Sequence, residues 1–322
     1  MWLYKLNAKV SGFSLNPPSN PYNYEVLGLK SKITDIRGDI KNYRDLYHTV
    51  KKINPEIIIH LAAQPILLKS YDFPIETYET NTIGTLNLLE ACRKVDNLKA
   101  VLIITTDKVY KNAGFKKRYR EEDALGGFDP YSASKAAAEI IVQSYSNSFF
   151  KDQKVGIATA RAGNIIGGGD WGPNRIVTDI VKAYKNKSIL NLRHPDAVRP
   201  WTFILDIIYG YLKLMINLYN NPERYSGPWN FGPNYTKTVE DLVIEFQKYL
   251  DIRYVKTQEV KMHEDKYLLL DSRKSKINLK WKPLYNFSKM VNETASWYLN
   301  FYNNRKKMFN FSLEQIENFR GN

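Results

Sequence analysis

Ala100-Val101-Leu102-Ile103-Ile104-Thr105-Thr106-Asp107-Lys108, read with the later Asp129-Pro130-Tyr131-Ser132-Ala133-Ser134-Lys135, decides the fold class of this chain. The unbroken apolar run 100–104 reads as a buried parallel strand. The four residues after it therefore sit at a strand's carboxyl end, where ligands of open α/β sheets bind. Asp129 suits an N-cap and Pro130 a first-turn position, which starts a helix at Tyr131 and puts Tyr131 and Lys135 one turn apart on one face. A phenol and an ammonium so placed can share one site.

The spacing alone says little, because Tyr-x-x-x-Lys also begins at Tyr47, Tyr209, Tyr285 and Tyr302. Only Tyr131 stands in the frame of strand, hydroxyl-acid-amine cluster, loop, capped helix and a further strand-like run at Val155–Ala160. Outward from it the pattern alternates: strands near Ala8–Leu15 and Ile33–Ile36, helix Tyr43–Ile53, strand Glu56–Leu61, helix Pro74–Val95, strand Ala100–Thr105. Strands alternating with helices predict an α/β fold with a doubly wound parallel sheet. In the carboxyl third, Thr238 with Asp241 forms a weaker capping box and an amphipathic helix spans Ser288–Tyr302, as expected of a smaller substrate-binding lobe.

The 322 residues, 43% hydrophobic, suffice for one large core and a smaller lobe. No run approaches eighteen apolar residues and no signal peptide precedes the first strand-like segment, so a cytoplasmic protein is expected. The single cysteine, Cys92, lies in an apolar helix pattern and reads as a core residue. A net charge of +14 is spread along the chain with no nucleic-acid motif beside it. A basic surface would instead help to draw in a dianionic nucleotide-sugar.

The chain resembles the extended short-chain dehydrogenase/reductase family, and within it the nucleotide-sugar 4,6-dehydratases that act on CDP-glucose. The resemblance is carried by Asn16-Pro17-Pro18, Gly38-Asp39-Ile40, His60-Leu61-Ala62-Ala63-Gln64-Pro65, the stretch 77–91 with Asn81 and Gly84-Thr85, and Gly126–Tyr131. Further on it includes Arg161-Ala162-Gly163-Asn164 with the following Gly167-Gly168-Gly169-Asp170-Trp171, Arg199-Pro200-Trp201, and Trp229-Asn230-Phe231-Gly232-Pro233. It implies a Rossmann-like dinucleotide domain over 1–164 and about 198–232, and a nucleotide-sugar lobe over about 165–197 and 233–322.

Family members carry a first strand and a glycine-rich phosphate turn ahead of the segment with which this sequence opens, Met1-Trp2-Leu3-Tyr4-Lys5-Leu6. That turn lets the backbone approach a pyrophosphate, and the strand lies mid-sheet. The expectation is a protein that starts upstream or a truncated gene product, folding marginally and binding NAD poorly as it stands.

The resemblance implies NAD as cofactor, with Asp39 and Ile40 beside the adenine and Ala62, Ala63 and Gln64 along the nucleotide. Asn81, Thr105, Tyr131 and Lys135 join the cofactor set. Asn16 stands where an acidic residue usually binds the adenosine ribose; an amide still bonds those hydroxyls but does not repel a 2′-phosphate. Tyr131 is the implied base at the sugar C4 hydroxyl, its phenolate favoured by Lys135, and Thr106 hydrogen-bonds the reacting oxygen. Elimination across C5 and C6 needs an acid and a base, assigned to Asp107 and Lys108. A lysine base must be partly neutral, which burial promotes. Asn164, Arg175, Arg199 and Asn230 are expected at the substrate, the arginines suiting its diphosphate, and no metal is implied. His60 reads as a satisfied core histidine.

Lys108 argues against a dTDP-glucose dehydratase, which typically carries glutamate there, and the acid-base pair argues against a simple epimerase. Another NAD-dependent nucleotide-sugar dehydratase or epimerase, or an inactive remnant, are the alternatives. A homodimer through helices Pro74–Val95 and Tyr131–Phe150 is expected.

Overall fold

Alternate residues of the apolar run 100–104 face two different cores, and the architecture follows from that. The computed structural model describes residues 1–112, 117–257 and 267–320. In chain order its main elements are α1 (Trp2–Lys5), β1 (Ser11–Ser14), β2 (Thr34–Arg37), α2 (Tyr43–Ile53), β3 (Ile57–His60), α3 (Gly84–Cys92), β4 (Ala100–Ile104) and α4 (Pro130–Tyr145). They continue with β5 (Gly156–Ala162), α5 (Ile176–Asn186), α6 (Ile204–Asn220), β6 (Gly227–Phe231), α7 (Val239–Gln247), α8 (Phe287–Asn304) and α9 (Met308–Arg320).

Strands β6, β5, β4 and β3 lie in that order, all parallel, with Leu102 opposite Ala158 and Ile58 opposite Val101. Val101 and Ile103 pack with Leu46 and Val50 of α2, Leu88, Leu89 and Cys92 of α3, and Val142 of α4. Ala100 and Leu102 point the other way, toward Ile207, Tyr211 and Leu214 of α6 and toward Trp229 and Trp281. A strand alternates its faces with period two, so an all-apolar strand demands cover on both sides. Each large buried side chain contributes roughly 1.5–3 kcal/mol. Cys92 sits inside the first of these cores as a free thiol.

Strands β1 and β2 form a separate parallel pair, and no strand among the described residues bonds to both β1 and β3. The edge of β3 away from β4 is correspondingly open, with Ile57 39% exposed.

A third core gathers α5, α7, α8 and α9 with Phe203 and Tyr285, and it also holds Trp2. The Trp2 indole stacks on Tyr209 at 6.4 Å and meets the edge of Phe319 at 5.8 Å. The first helix thus shares its core with the last.

Boundaries mostly fall within a residue or two of expectation. Asn42 caps α2, and Thr238 and Asp241 bond each other's backbone amides at 2.9 Å in a full capping box on α7. The long helix expected over 74–95 is instead three pieces: Pro74–Tyr78, a π-turn Glu79–Ile83 and α3. The widened turn presents Asn81 inward, and Gly84 follows because a methyl there would lie 2.7 Å from Ile40. A second π-turn, Ser146–Phe150, likewise ends α4.

Candidate active site

Asp129 accepts from the Ser132 amide at 2.9 Å and Pro130 occupies the first turn, so α4 begins where the sequence said. Tyr131, Lys135 and Glu139 then follow at four-residue intervals on one face. Lys135 is buried and donates from Nζ to the Ile104 carbonyl at 3.0 Å, tying α4 to the end of β4. Burial lowers its ammonium to about 8, against the opposing pull of Glu139.

The chain leaving β4 makes a short 3₁₀ turn, Asp107–Val109, capped by Thr106, whose Oγ1 accepts from the Lys108 amide at 3.3 Å. The Thr106 hydroxyl lies 3.1 Å from Asp107 Oδ1 and also hydrogen-bonds Tyr131. The Thr106 hydroxyl therefore stands between the acid and the phenol. Asp107 is 3% exposed and sits against Gly163, where a methyl would fall 1.7 Å from Oδ2. Lys108 is half-buried.

Burial pushes the Tyr131 phenol up to about 12, Asp107 and Asp129 add to the rise, and Thr106 and Arg175 oppose it. The expected depression of this phenol by Lys135 is not what the structure has. The Lys135 ammonium is directed to the Ile104 carbonyl instead.

On the nucleotide side, Asn16 is exposed beyond β1, while Asp39 is half-buried and Ile40 buried beyond β2. Ala62 and Ala63 are half-buried at the end of β3. Gln64 and Asn81 are buried and brace one another: the Gln64 amide donates to Asn81 Oδ1 at 2.8 Å, and Asn81 Nδ2 donates to the Gln64 carbonyl at 3.1 Å and to Ser134 at 2.9 Å. Asn81 thus supports the loop after β3 rather than facing a ligand, a correction to its assignment as a cofactor contact. His60 is buried against Thr85 at 3.0 Å, and its imidazole is lowered to about 3 by burial and Lys135, so it stays neutral.

These residues fit a dinucleotide in chemistry: phenol, ammonium and hydroxyls at one end, small side chains where a backbone must pass close, and an amide and a carboxylate at the other. Among the described residues no glycine-rich turn supplies the pyrophosphate.

On the substrate side, Asn164 is half-buried with φ 47° at the exit of β5. Arg175 pairs with Asp170 at 2.8 Å near the mouth, close enough for its charge to act on Tyr131. Arg199 is buried and donates to the Val198 carbonyl at 2.9 Å. Asn230 does not join them. It is fully buried, with Oδ1 accepting from Tyr110 at 2.7 Å and Nδ2 donating to the Tyr119 carbonyl at 2.9 Å. Its amide and carbonyl are engaged by Glu121 and Ser275. A side chain so committed inside the core is structural, which corrects its placement at the diphosphate.

Residues 19–294 match the GDP-mannose 4,6 dehydratase family. The chain belongs to that family. Within the GDP-mannose 4,6 dehydratase family's wider circle, it is 38% identical over 307 residues to CDP-glucose 4,6-dehydratase of Salmonella typhimurium, covering 92% of this chain and 86% of that one. It is 25% identical over 288 residues to dTDP-glucose 4,6-dehydratase of Xanthomonas campestris pv. campestris, covering 82% and 78%. Among solved structures, dTDP-glucose 4,6-dehydratase of Bacillus anthracis in complex with NAD superposes with a TM-score of 0.74 at 25% identity, covering 93% and 91%. UDP-glucose 4-epimerase of Thermotoga maritima reaches a TM-score of 0.81 at 20% identity, covering 94% of each chain.

Two residues beside the site escaped the sequence reading. Glu139 was within reach, since it continues the Tyr131–Lys135 register by one more turn. Arg161, its partner on β5, is visible only once β4 and β5 are paired.

Proposed function

We propose that this protein is a CDP-glucose 4,6-dehydratase that forms CDP-4-keto-6-deoxyglucose with NAD as resident cofactor. The observation that carries the reading is one turn, Thr106-Asp107-Lys108, set against the Tyr131 hydroxyl through Thr106, in a chain 38% identical to a CDP-glucose 4,6-dehydratase. NAD held there would supply the acceptor for the hydride leaving the sugar C4 and its donor at C6.

Tyr131 as phenolate accepts the C4 hydroxyl proton while Thr106 donates a hydrogen bond to the same oxygen. A phenol at about 12 needs positive charge nearby to ionise. Arg175, whose charge already opposes the rise, supplies it. The C4 ketone then makes the C5 hydrogen acidic. Neutral Lys108 takes that proton, the C6–oxygen bond breaks, and protonated Asp107 delivers its proton to the departing hydroxyl as water. Asp107 lies buried against Gly163. Arg175 and Arg199 are the cations proposed for the diphosphate, and Asn164 for the sugar; Asn16, Asp39, Ile40, Ala62, Ala63 and Gln64 would lie along NAD, with Thr105 near its nicotinamide ribose.

The experiment is to measure turnover of CDP-glucose and dTDP-glucose side by side with NAD present. A clear preference for CDP-glucose is expected, and equal or reversed rates would sink the cytidine assignment. We also propose a homodimer. Ile75 and Ile140 are 74% and 58% exposed on the two helices expected to pair, and sedimentation at two concentrations tests it.

A further inference from the structure

Beneath the Tyr131–Lys135 face lies a buried charge pair that the reaction itself does not use. Glu139 and Arg161 are 4% and 2% exposed, and the guanidinium forks onto both carboxylate oxygens, Nε to Oε1 at 2.9 Å and Nη2 to Oε2 at 2.8 Å. Each partner keeps a further arm, and the two arms reach opposite ends of one short segment. Glu139 Oε1 accepts from Thr105 Oγ1 at 2.5 Å. Arg161 Nη1 donates to the Tyr110 hydroxyl at 2.8 Å, and the guanidinium lies over that ring at 4.9 Å. Thr106, Asp107 and Lys108 run between Thr105 and Tyr110.

Resting on the dehydratase reading above, we infer that the Glu139–Arg161 pair is a clasp that positions the elimination turn, holding Asp107 and Lys108 in register with Tyr131 from both ends. Neither residue touches the substrate; both are positioning residues.

Three observations support the clasp. Thr159 Oγ1 donates to Glu139 Oε2 at 2.7 Å, so the carboxylate is braced by two strands as well as by its own helix. The Tyr110 hydroxyl passes on to Asn230 Oδ1 at 2.7 Å, which anchors the far end in β6. The same carboxylate lies one turn from Lys135 and opposes the loss of its proton. A buried ion pair is a poor stabiliser beside apolar packing of equal volume, whereas its directional bonds fix a geometry that apolar packing leaves loose.

The variants are Tyr110→Phe, which keeps the ring stacked on Tyr119 at 5.1 Å, and Thr105→Val, with Thr105→Ser as the conservative rescue. The first readout is hydrogen exchange by mass spectrometry on the full chain without substrate. Amides of residues 106–109 are expected to exchange at least about 10-fold faster in Tyr110→Phe and Thr105→Val, with α4 unchanged and Thr105→Ser like the parent. The second, read in Tyr110→Phe alone because Thr105 is proposed beside NAD, is the ratio of water elimination from CDP-glucose to isotope exchange at C4 in the NAD-loaded enzyme. That ratio should fall by about 10-fold or more while KM stays within about threefold, because a displacement near 1 Å costs on the order of 100-fold in a positioned step. Unchanged local exchange, exchange raised throughout the chain, or a ratio that does not move would each overturn the clasp. If the parent protein fails to process CDP-glucose, the dehydratase reading fails, and the exchange experiment still decides whether the pair holds the turn.

Discussion

Replacing Gly163 with alanine tests the Asp107 assignment most sharply. The added methyl would lie 1.7 Å from Oδ2, 2.3 Å from Cγ and 2.8 Å from Oδ1 of Asp107. Gly163 does not have a left-handed backbone, so the effect is steric rather than conformational. Ordinary contact begins near 3.4 Å, so the carboxylate must retreat by about 1.7 Å. At 3% exposure it has no solvent-filled space to enter. Overpacking of this kind costs about 1–3 kcal/mol of stability. Moving a proton donor by more than 1 Å should slow its own step on the order of 100-fold, about 2.7 kcal/mol of barrier. Thermal unfolding reads the first effect; product formation, set against isotope exchange at C4, reads the second. Gly12→Ala is the control, since a methyl there meets only Ile33 at an ordinary 3.7 Å. Product formation by the Gly163→Ala protein within threefold of the parent would refute the placement of Asp107 as the acid of the elimination.

Tyr131→Phe should abolish exchange at C4, whereas Lys108→Ala should retain that exchange and release little product; near-normal turnover in Lys108→Ala would remove it as the base. Lys135 is held to about 8 and loses its charge as pH rises through that value, so kcat/KM should fall above pH 8, and Glu139→Gln, which removes the charge that raises it, should move this limb to lower pH. A limb that stays or moves up contradicts the coupling. Glu139→Ala strands the Arg161 charge and should cost about 3–5 kcal/mol in denaturant unfolding, while the Glu139→Met, Arg161→Met double variant should recover most of that. Asn16→Asp should raise the preference for NAD over NADP by about 10-fold or more in calorimetric titrations, since a carboxylate repels the 2′-phosphate.

The strand-end cluster and its helix were legible because their signals are local. Five apolar residues need cover on both faces, and Asp129-Pro130 sets where α4 starts whatever the tertiary context. The π-turn at 79–83 was not legible, because it exists to aim Asn81 at Gln64, a partner seventeen residues away that helical periodicity does not encode. Asn230 misled for a related reason. A motif shows which residue type stands at a position, but only the pairing of β6 with β5 and the approach of Tyr110 reveal that the amide is turned into the core. The Tyr131 phenol was read from Lys135 and a nicotinamide cation, while burial, Asp107 and Asp129, which lie outside that helical register, raise its proton affinity.

The packing of Trp2 against Phe319 also bears on how the protein emerges from the ribosome. The core around β4 draws on residues 40–157 and can close when about half the chain is out. The other large core cannot, because one of its walls is the last helix. At the roughly 5–20 residues per second of synthesis, Trp2 waits on the order of ten seconds or more for Phe319. Through that interval the Trp2 indole has only its earlier partners, Tyr209 among them, and lacks the aromatic edge that completes its cover.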